Sequence, residues 1–226
     1  MHPLVELLSA QPALFVAVVV LFTLLIGSFL NVVIHRLPIM MHREWTEECE
    51  AFQKEEGPDT SKLPEKYNLV VPRSACPKCG HKITALQNIP VLSYLLLRGR
   101  CAGCKTPISK RYPIIEAFTG AACGYVAWHF GFGLEALMAI VLTLALIALS
   151  MIDFDTQFLP DSIVLPMLWL GLVMSLFFPM DGAQTLFIDP RTAIIGAAAG
   201  YLSLWSVYQV YKLLTGKIGM GHGDFK

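Results

Sequence analysis

The sequence predicts an all-α polytopic membrane protein, with about five transmembrane helices and a small cytoplasmic insert that resembles a zinc ribbon. Of its 226 residues, 55% are hydrophobic and only 15% are charged, whereas an ordinary soluble domain carries about 25% charged residues. The basic residues are concentrated between positions 36 and 111, which hold 13 of the 17 Lys and Arg and 8 of the 17 Asp and Glu. The same stretch contains four cysteines in two matched pairs. The chain therefore consists of apolar helices and one polar insert.

Five apolar stretches approach the roughly 20 residues that a helix needs to cross a bilayer. The fourth is marginal in length and contains Pro166, which can kink it. The first lacks a preceding basic region and a small-residue cleavage site, so we interpret it as a permanent anchor rather than a signal peptide. The predicted spans are residues 13–35, 111–130, 134–152, 162–178 and 191–214. They divide the chain into an N-terminal segment with the first span (1–35), the insert (36–110) and a block of transmembrane helices (111–226).

The basic residues also predict the orientation of these helices. Cytoplasmic loops carry an excess of Lys and Arg, so we expect the insert to be cytoplasmic. Five crossings then place residues 1–12 and 179–190 outside, and these segments carry acidic residues but no Lys or Arg. The segments 153–161 and 215–226 fall on the cytoplasmic side. Asp153 and Asp224 are therefore expected on the same face of the membrane.

The four paired cysteines predict a metal site. They form Cys76-Pro-Lys-Cys79 and Cys101-Ala-Gly-Cys104, with 21 residues between the pairs. This spacing is typical of a tetrahedral four-thiolate zinc centre, which is structural because no position is left open for water. We expect Gly80 and Gly103 to supply the backbone freedom that such turns use. Two disulfides or four unused thiols are the alternatives, and a cytosolic location argues against disulfides.

Other parts of the insert allow simpler interpretations. Residues 44–65 are polar and mostly acidic; we interpret them as a solvated helix and a linker, although a patch that attracts a basic substrate segment is the alternative. Residues 89–97 are apolar but too short to span, so we expect them at the membrane surface or beneath the metal site. Cys123 is expected to be a small packing residue in an apolar helix.

Three carboxylates crowd the short segment from Asp153 to Asp161. Asp153 directly continues an apolar run, and a carboxylate at the edge of hydrocarbon indicates a functional site because it is costly to hold there. Asp155 is also explained as a solvated loop charge, and Asp161 as the N-cap of the following helix.

Asp224 follows three glycines at alternate positions, in Gly219-Met-Gly-His-Gly-Asp224. Little side-chain bulk there would let a peptide backbone approach the carboxylate, although a glycine turn after a helix is also a common C-cap. As a pair, Asp153 and Asp224 predict proteolysis. Two close carboxylates share a proton, so one activates water while the other polarises the scissile carbonyl. No nucleophile elbow and no HExxH motif offers another hydrolytic site.

The ordered set of motifs resembles the bacterial type IV prepilin peptidases, membrane aspartyl proteases of the GxGD type. It comprises Gly27-Ser-Phe-Leu-Asn-Val-Val-Ile-His-Arg-Leu-Pro38, the cysteine pairs, Lys110-Arg-Tyr-Pro113, Ile152-Asp153 through Leu159-Pro-Asp161, and Gly221-His-Gly-Asp-Phe-Lys226. The resemblance covers nearly the whole chain. It implies that residues 111–226 are the aspartyl-protease helices and that Asp153 and Asp224 are the catalytic pair.

The resemblance also implies the reaction and its setting. Such enzymes cleave the basic leader of prepilins and pseudopilins at the cytoplasmic face of the inner membrane. They then N-methylate the new terminal residue with S-adenosylmethionine. Cys76, Cys79, Cys101 and Cys104 would lie in the region linked to methylation and to the integrity of the cytoplasmic domain. The implied partners are these substrates and the bilayer, without nucleic acid.

The sequence departs from the family pattern at its end, because members continue past the GxGD loop and this sequence stops two residues after Asp224. Catalytic groups need precise positioning, so we expect a shortened chain that is inactive or weak by itself.

Two other classes of function compete with the peptidase. A non-catalytic zinc-ribbon scaffold of a pilus or secretion assembly would explain the cysteines and helices but not the two carboxylates. A small transporter would use Glu116, Asp153 and Asp224 as a proton relay, but it would place polar groups deeper in the helices.

Overall fold

The computed structural model describes residues 3–53, 67–177 and 188–217. These residues form seven α-helices and one short 3-10 turn, Leu86–Asn88. They contain no β-strand, only two isolated bridges. The helices are α1 (Pro3–Ala10), α2 (Pro12–Gln53), α3 (Leu92–Leu96), α4 (Arg111–Phe130), α5 (Leu134–Thr156), α6 (Asp161–Ser175) and α7 (Pro190–Thr215).

The helices agree with the predicted membrane-spanning pattern. Within the described residues, three helices are long and apolar enough to cross a bilayer: Pro12–Glu47 of α2, α5 and α7. The helix α6 is apolar but has only 15 residues, and Pro166 lies inside it without ending it. The 20-residue helix α4 matches the predicted span 111–130. The predicted fold class, an all-α membrane protein, is confirmed.

The helix α2 is longer than the membrane span that the sequence predicted. That span was expected over residues 13–35, and a solvated helix was expected within residues 44–65. Instead, one helix of 42 residues runs from Pro12 to Gln53 with Pro38 inside it. At 1.5 Å per residue it is about 63 Å long, roughly twice the thickness of the hydrocarbon. The second half of α2 therefore projects beyond the apolar segment.

Residues Met1–Phe132 form one compact unit, in which α2 and α4 pack along each other in antiparallel directions. Asn31 Nδ2 donates to the Tyr112 carbonyl at one end, and the rings of Phe15 and Phe132 meet edge to face at the other. Small or branched residues fill the contact face of α4. Its buried residues are Ile115, Thr119, Gly120, Cys123, Gly124 and Ala127. The completely buried position of Cys123 confirms that this cysteine is a packing residue.

The described residues from Gly133 onward form the second compact unit, in which α6 contacts both α5 and α7. The helix α5 ends with Gln157 in the left-handed conformation, and its backbone N–H donates to the Asp153 carbonyl. At the start of α7, the Asp189 side chain accepts a hydrogen bond from the Thr192 N–H. This N-cap and Pro190 at the first turn define where α7 begins.

Candidate functional site

The first cysteine pair lies in a tight turn, the first knuckle, residues 74–83. The Cys76 N–H donates to the His81 carbonyl, and the Gly80 N–H donates to the Cys76 carbonyl. Gly80 has a φ of +69°, in the left-handed region that a residue without a Cβ enters easily. The prediction that Gly80 supplies backbone freedom is therefore confirmed.

The second knuckle, residues 99–108, repeats this hydrogen-bond pattern. The Cys101 N–H donates to the Thr106 carbonyl, and the Lys105 N–H donates to the Cys101 carbonyl. Lys105 has a φ of +58° and occupies the position that Gly80 has in the first knuckle.

The expected role of Gly103 was wrong, because its backbone is not in the left-handed region. Its importance is steric. A Cβ at Gly103 would lie 3.2 Å from His81 Cβ and 3.5 Å from Cys79 Sγ. Gly103 thus lets the second knuckle approach the first.

The two knuckles bring four thiols into one cluster, Cys76, Cys79, Cys101 and Cys104, the cysteine cluster. All four sulfurs lie within 4.8 Å of one another. Cys76 Sγ is 3.8 Å from Cys104 Sγ, and Cys79 Sγ is 3.9 Å from Cys101 Sγ. Tetrahedral coordination with zinc–sulfur bonds of about 2.3 Å places the sulfurs about 3.8 Å apart. The cluster can therefore hold one metal ion, and its donor set and spacing fit zinc.

The surroundings of the thiols give them unequal acidities. Hydrogen bonds with the side chain and backbone of Thr106 lower the pKa of Cys104 to about 6, and backbone hydrogen bonds from Cys79 and Lys78 lower the pKa of Cys76. The backbone of His81 lowers the pKa of Cys79, but the neighbouring Cys104 sulfur and burial outweigh it and raise that pKa to about 11. A metal cation at the centre would favour the thiolate form of all four.

Two residues that sequence reasoning missed support the cysteine cluster. Thr106 Oγ1 lies 3.2 Å from Cys104 Sγ, and its carbonyl closes the second knuckle. Gln87 Oε1 lies 3.3 Å from His81 Nε2 and accepts from the Thr84 N–H. The position of Thr106, two residues after the second cysteine, could have indicated its contact with Cys104. The contact of Gln87 with His81 could not be read from the sequence, because it depends on the 3-10 turn that contains Gln87.

Polar contacts attach the segment between the knuckles to α2 and α4. Glu116 Oε2 accepts a hydrogen bond of 2.7 Å from the Val91 N–H. Ser28 Oγ lies 3.5 Å from Asn88 Oδ1. The hydrogen bond from Val91 gives Glu116 a structural role in joining α4 to the insert.

Arg36 attaches a second segment of the insert to α2. Its guanidinium donates to the carbonyls of Asn68 and Pro72 at 2.8 and 2.6 Å and lies over the Tyr67 ring. Only 8% of Arg36 is exposed, so these backbone carbonyls take the place of water around a buried charge.

Asp153 lies in the last turn of α5, directly after Ile152, which is completely buried. Asp153 and Asp155 are both exposed. The expected capping role of Asp161 was wrong, because Pro160 is the N-cap of α6 and Asp161 is its first helical residue. A carboxylate in the first turn still stabilises the helix through its dipole. Asp224 and its neighbouring glycines lie outside the described residues, so the pairing with Asp153 stays a prediction.

Comparison with known families matches almost the whole chain. Residues 21–130 match the family described as the bacterial peptidase A24 N-terminal domain. Residues 140–226 match the type IV leader peptidase family. No solved structure gave a significant match.

Similar proteins from several bacteria support the same assignment. The chain is 52% identical to the prepilin leader peptidase/N-methyltransferase of Pseudomonas aeruginosa over 99% of this chain and 74% of that protein. The corresponding proteins of Stutzerimonas stutzeri and Neisseria gonorrhoeae are 51% and 54% identical, over 98% and 90% of this chain and 73% and 68% of theirs. These similarities favour the peptidase over the scaffold and the transporter.

Proposed function

The chain belongs to the type IV leader peptidase family, and from this premise we propose that it cleaves prepilins and pseudopilins with Asp153 and Asp224 as its catalytic pair. It is a prepilin-processing membrane enzyme, in keeping with its relatives. The proposal adds the residues and the setting: an inner-membrane aspartyl endopeptidase that removes the basic leader on the cytoplasmic face.

One observation carries the residue assignment. The region matched by the leader peptidase family, residues 140–226, contains both aspartates. Within it, Asp153 is an exposed carboxylate at the end of an apolar helix of membrane-spanning length. Such a position gives the carboxylate access to a water molecule and to a peptide while it stays at the membrane boundary.

In the proposed reaction the two carboxyl groups share one proton. The ionised carboxylate takes a proton from water as the water oxygen bonds to the scissile carbonyl carbon. The protonated partner donates its proton to the carbonyl oxygen. When the gem-diol intermediate collapses, the carbon–nitrogen bond breaks and the leaving amine takes a proton from the first carboxyl group. One hydroxyl proton of the gem-diol returns to the second carboxylate, which restores the shared proton of the pair. The glycines at 219, 221 and 223 would allow the substrate backbone to lie close to Asp224.

We assign the cysteine cluster to one structural zinc ion. Its sulfur spacing and its all-thiolate donor set support this metal. Bound zinc would hold the two knuckles together and so stabilise the insert.

We also propose that the chain N-methylates the newly exposed terminal residue with S-adenosylmethionine. Support for this activity comes from the names of the relatives. No described residue is assigned to the methyl donor, and the proposed peptidase step does not depend on it.

The test compares Asp153→Asn and Asp224→Asn in a prepilin cleavage assay. Asparagine has the shape of aspartate but cannot accept or donate the catalytic proton, and general acid–base groups contribute about 100-fold or more. We expect each variant to lose at least about 100-fold in cleavage rate while remaining in the membrane at its usual level.

Asp155→Asn is the matched control, because Asp155 is also exposed and lies in the same helical turn. We expect it to retain cleavage within a few-fold of the unmodified protein. Normal cleavage by Asp153→Asn or Asp224→Asn would remove that residue from the catalytic pair.

A further inference from the structure

The segment between the two knuckles exposes leucines that the insert does not bury. The exposed fractions are 78% for Leu86, 50% for Leu92, 64% for Leu95 and 74% for Leu96. Leu92, Leu95 and Leu96 follow the i, i+3, i+4 spacing, so they share one face of α3. A face of this kind on a polar insert indicates a surface that is covered by another apolar phase.

The attachment of this segment sets its depth relative to the helices. Asn88 lies beside Ser28, which is seven residues before His35, the first polar residue after the apolar run of α2. Val91 is bonded to Glu116, five residues into α4. At 1.5 Å per residue these positions lie about 10 Å or less inside the ends of the apolar segments. That is the depth at which the apolar faces of interfacial helices lie.

Exposed apolar side chains of α2 and α4 lie at the same level along their helices as Ser28 and Glu116. Phe29 of α2 and Ile114 and Phe118 of α4 are also largely exposed. On helices that span a membrane, such side chains contact lipid. The leucines of α3 are therefore attached at a depth where side chains of α2 and α4 contact lipid.

Basic residues follow directly after α3. Arg98, Arg100 and Lys105 are exposed, and together with Leu96 and Leu97 they line one recess. Guanidinium and ammonium groups beside an apolar surface complement the phosphates of anionic lipids, while the leucines match their acyl chains.

We propose that α3 is an interfacial membrane anchor, which inserts Leu92, Leu95 and Leu96 into the bilayer and binds anionic phospholipid headgroups through Arg98, Arg100 and Lys105. The anchor holds the loop that joins the two knuckles against the membrane. The cysteine cluster is then held close to the bilayer surface by the membrane as well as by its attachment to α2 and α4.

The first experiment maps lipid contact in the full chain. A photoreactive benzophenone amino acid replaces Leu95, and the protein is reconstituted in vesicles of phosphatidylethanolamine and phosphatidylglycerol with alkyne-tagged acyl chains. The matched control carries the benzophenone at Lys78, an exposed residue of the first knuckle. We expect at least five-fold more lipid adduct at position 95 than at position 78. Equal adducts, or crosslinks from position 95 to a protein segment instead of lipid, would overturn the proposal.

The second experiment tests the charged part of the surface. In the protein with benzophenone at position 95, Arg98→Gln and Arg100→Gln are combined, and vesicles containing phosphatidylglycerol are compared with vesicles of phosphatidylcholine alone. We expect about three-fold more adduct with the anionic lipid, and loss of this preference in the double variant. A preference that persists in the double variant would overturn the headgroup assignment. Unchanged hydrogen-exchange protection of the first knuckle shows that the insert remains folded.

Discussion

At the scale of single residues, the two knuckles reach the same turn with different residues. Gly80 and Lys105 both have left-handed backbones, but only glycine avoids the cost of about 1–2 kcal/mol that a Cβ incurs there. The second knuckle therefore carries strain that the first does not. Sulfur–metal bonds are strong enough to hold such a turn, which is consistent with a metal centre as the stabilising element.

The hydroxyl of Thr106 leads to a prediction about thiol reactivity. Because hydrogen bonds with Thr106 lower the pKa of Cys104 to about 6, this thiol is mostly thiolate at pH 7, whereas Cys79, with a pKa of about 11, is protonated. In Thr106→Val the side-chain hydrogen bond is lost and the pKa of Cys104 rises. The Cys104–Thr106 contact joins residues two positions apart, so it does not require the metal to hold the two knuckles together. Since the thiolate is the reactive form, we expect iodoacetamide labelling of Cys104 at pH 7 to slow by roughly tenfold in chelator-treated protein. Peptide mass spectrometry measures the rate.

The difference should disappear as the pH rises above the ordinary thiol pKa, because Cys104 is then ionised in both proteins. Thr84→Val is the control, since the Thr84 hydroxyl accepts from the Gln87 N–H in the same insert. Equal labelling of Thr106→Val and unmodified protein at pH 7 would contradict the assigned effect of Thr106.

The sequence predicted the four clustered cysteines but not all the residues that shape their turns. The CxxC spacing is a local signal, so it identifies the sulfurs directly. Gly103 was expected to have the left-handed backbone of the second knuckle. In both knuckles the left-handed residue instead directly follows the second cysteine, so in the second knuckle it is Lys105. Val91 also has a positive φ of 57°, which no local pattern indicates because its N–H is bonded to Glu116, 25 residues away.

At the scale of secondary-structure elements, the apolar runs predicted the helices closely. The expected spans 134–152 and 191–214 correspond to Leu134–Thr156 and Pro190–Thr215, because a run of membrane-spanning length is a strong signal. The continuation of α2 past its apolar run to Gln53, with Pro38 inside it, was not predicted, because hydropathy indicates the membrane span and not how far its helix extends. A proline costs one backbone hydrogen bond and can be accommodated within a long helix.

The contact of α4 with α2 leads to a prediction about packing. A Cβ at Gly120 would lie 2.8 Å from both Cγ and Cδ2 of Leu24, which is too close for nonbonded carbon atoms. We expect Gly120→Ala to lower stability by about 1–3 kcal/mol through overpacking. Thermal unfolding in detergent, followed by intrinsic fluorescence, measures the shift.

Two further variants separate packing from helix propensity. Gly196 lies within α7 and a Cβ there meets nothing within 4 Å, so Gly196→Ala should not destabilise, because alanine favours helix over glycine by about 1 kcal/mol. Leu24→Ala removes the atoms that clash, so the double variant with Gly120→Ala should be less destabilised than the sum of the single changes. Additive losses would argue against a direct clash.

At the scale of the whole molecule, the insert and the helices are stabilised by different means. The knuckles rest on a few backbone hydrogen bonds and four sulfurs, with little apolar burial. Among the residues described between positions 67 and 110, only Pro90, Gly99 and Cys101 are buried. The pair α2–α4 instead buries a long stripe of side chains. The two regions should therefore respond differently to removal of the metal.

We expect a strong chelator to release about one zinc ion per chain and to open the knuckles selectively. Without metal, repulsion between clustered thiolates and the strain at Lys105 oppose the two turns. Faster exchange is therefore expected for the amides that donate the knuckle hydrogen bonds, those of Cys76, Ile83, Cys101 and Ile108. The helices α4 and α5 should keep their protection, because their hydrogen bonds and packing do not involve the sulfurs. Hydrogen exchange with mass spectrometry before and after chelation measures both regions.

Cys104→Ser should reproduce the opening without chelator, whereas Cys49→Ser should not, since Cys49 is outside the cysteine cluster. Equal loss of protection in the knuckles and in α5 would show that the metal stabilises the whole chain and not the insert alone.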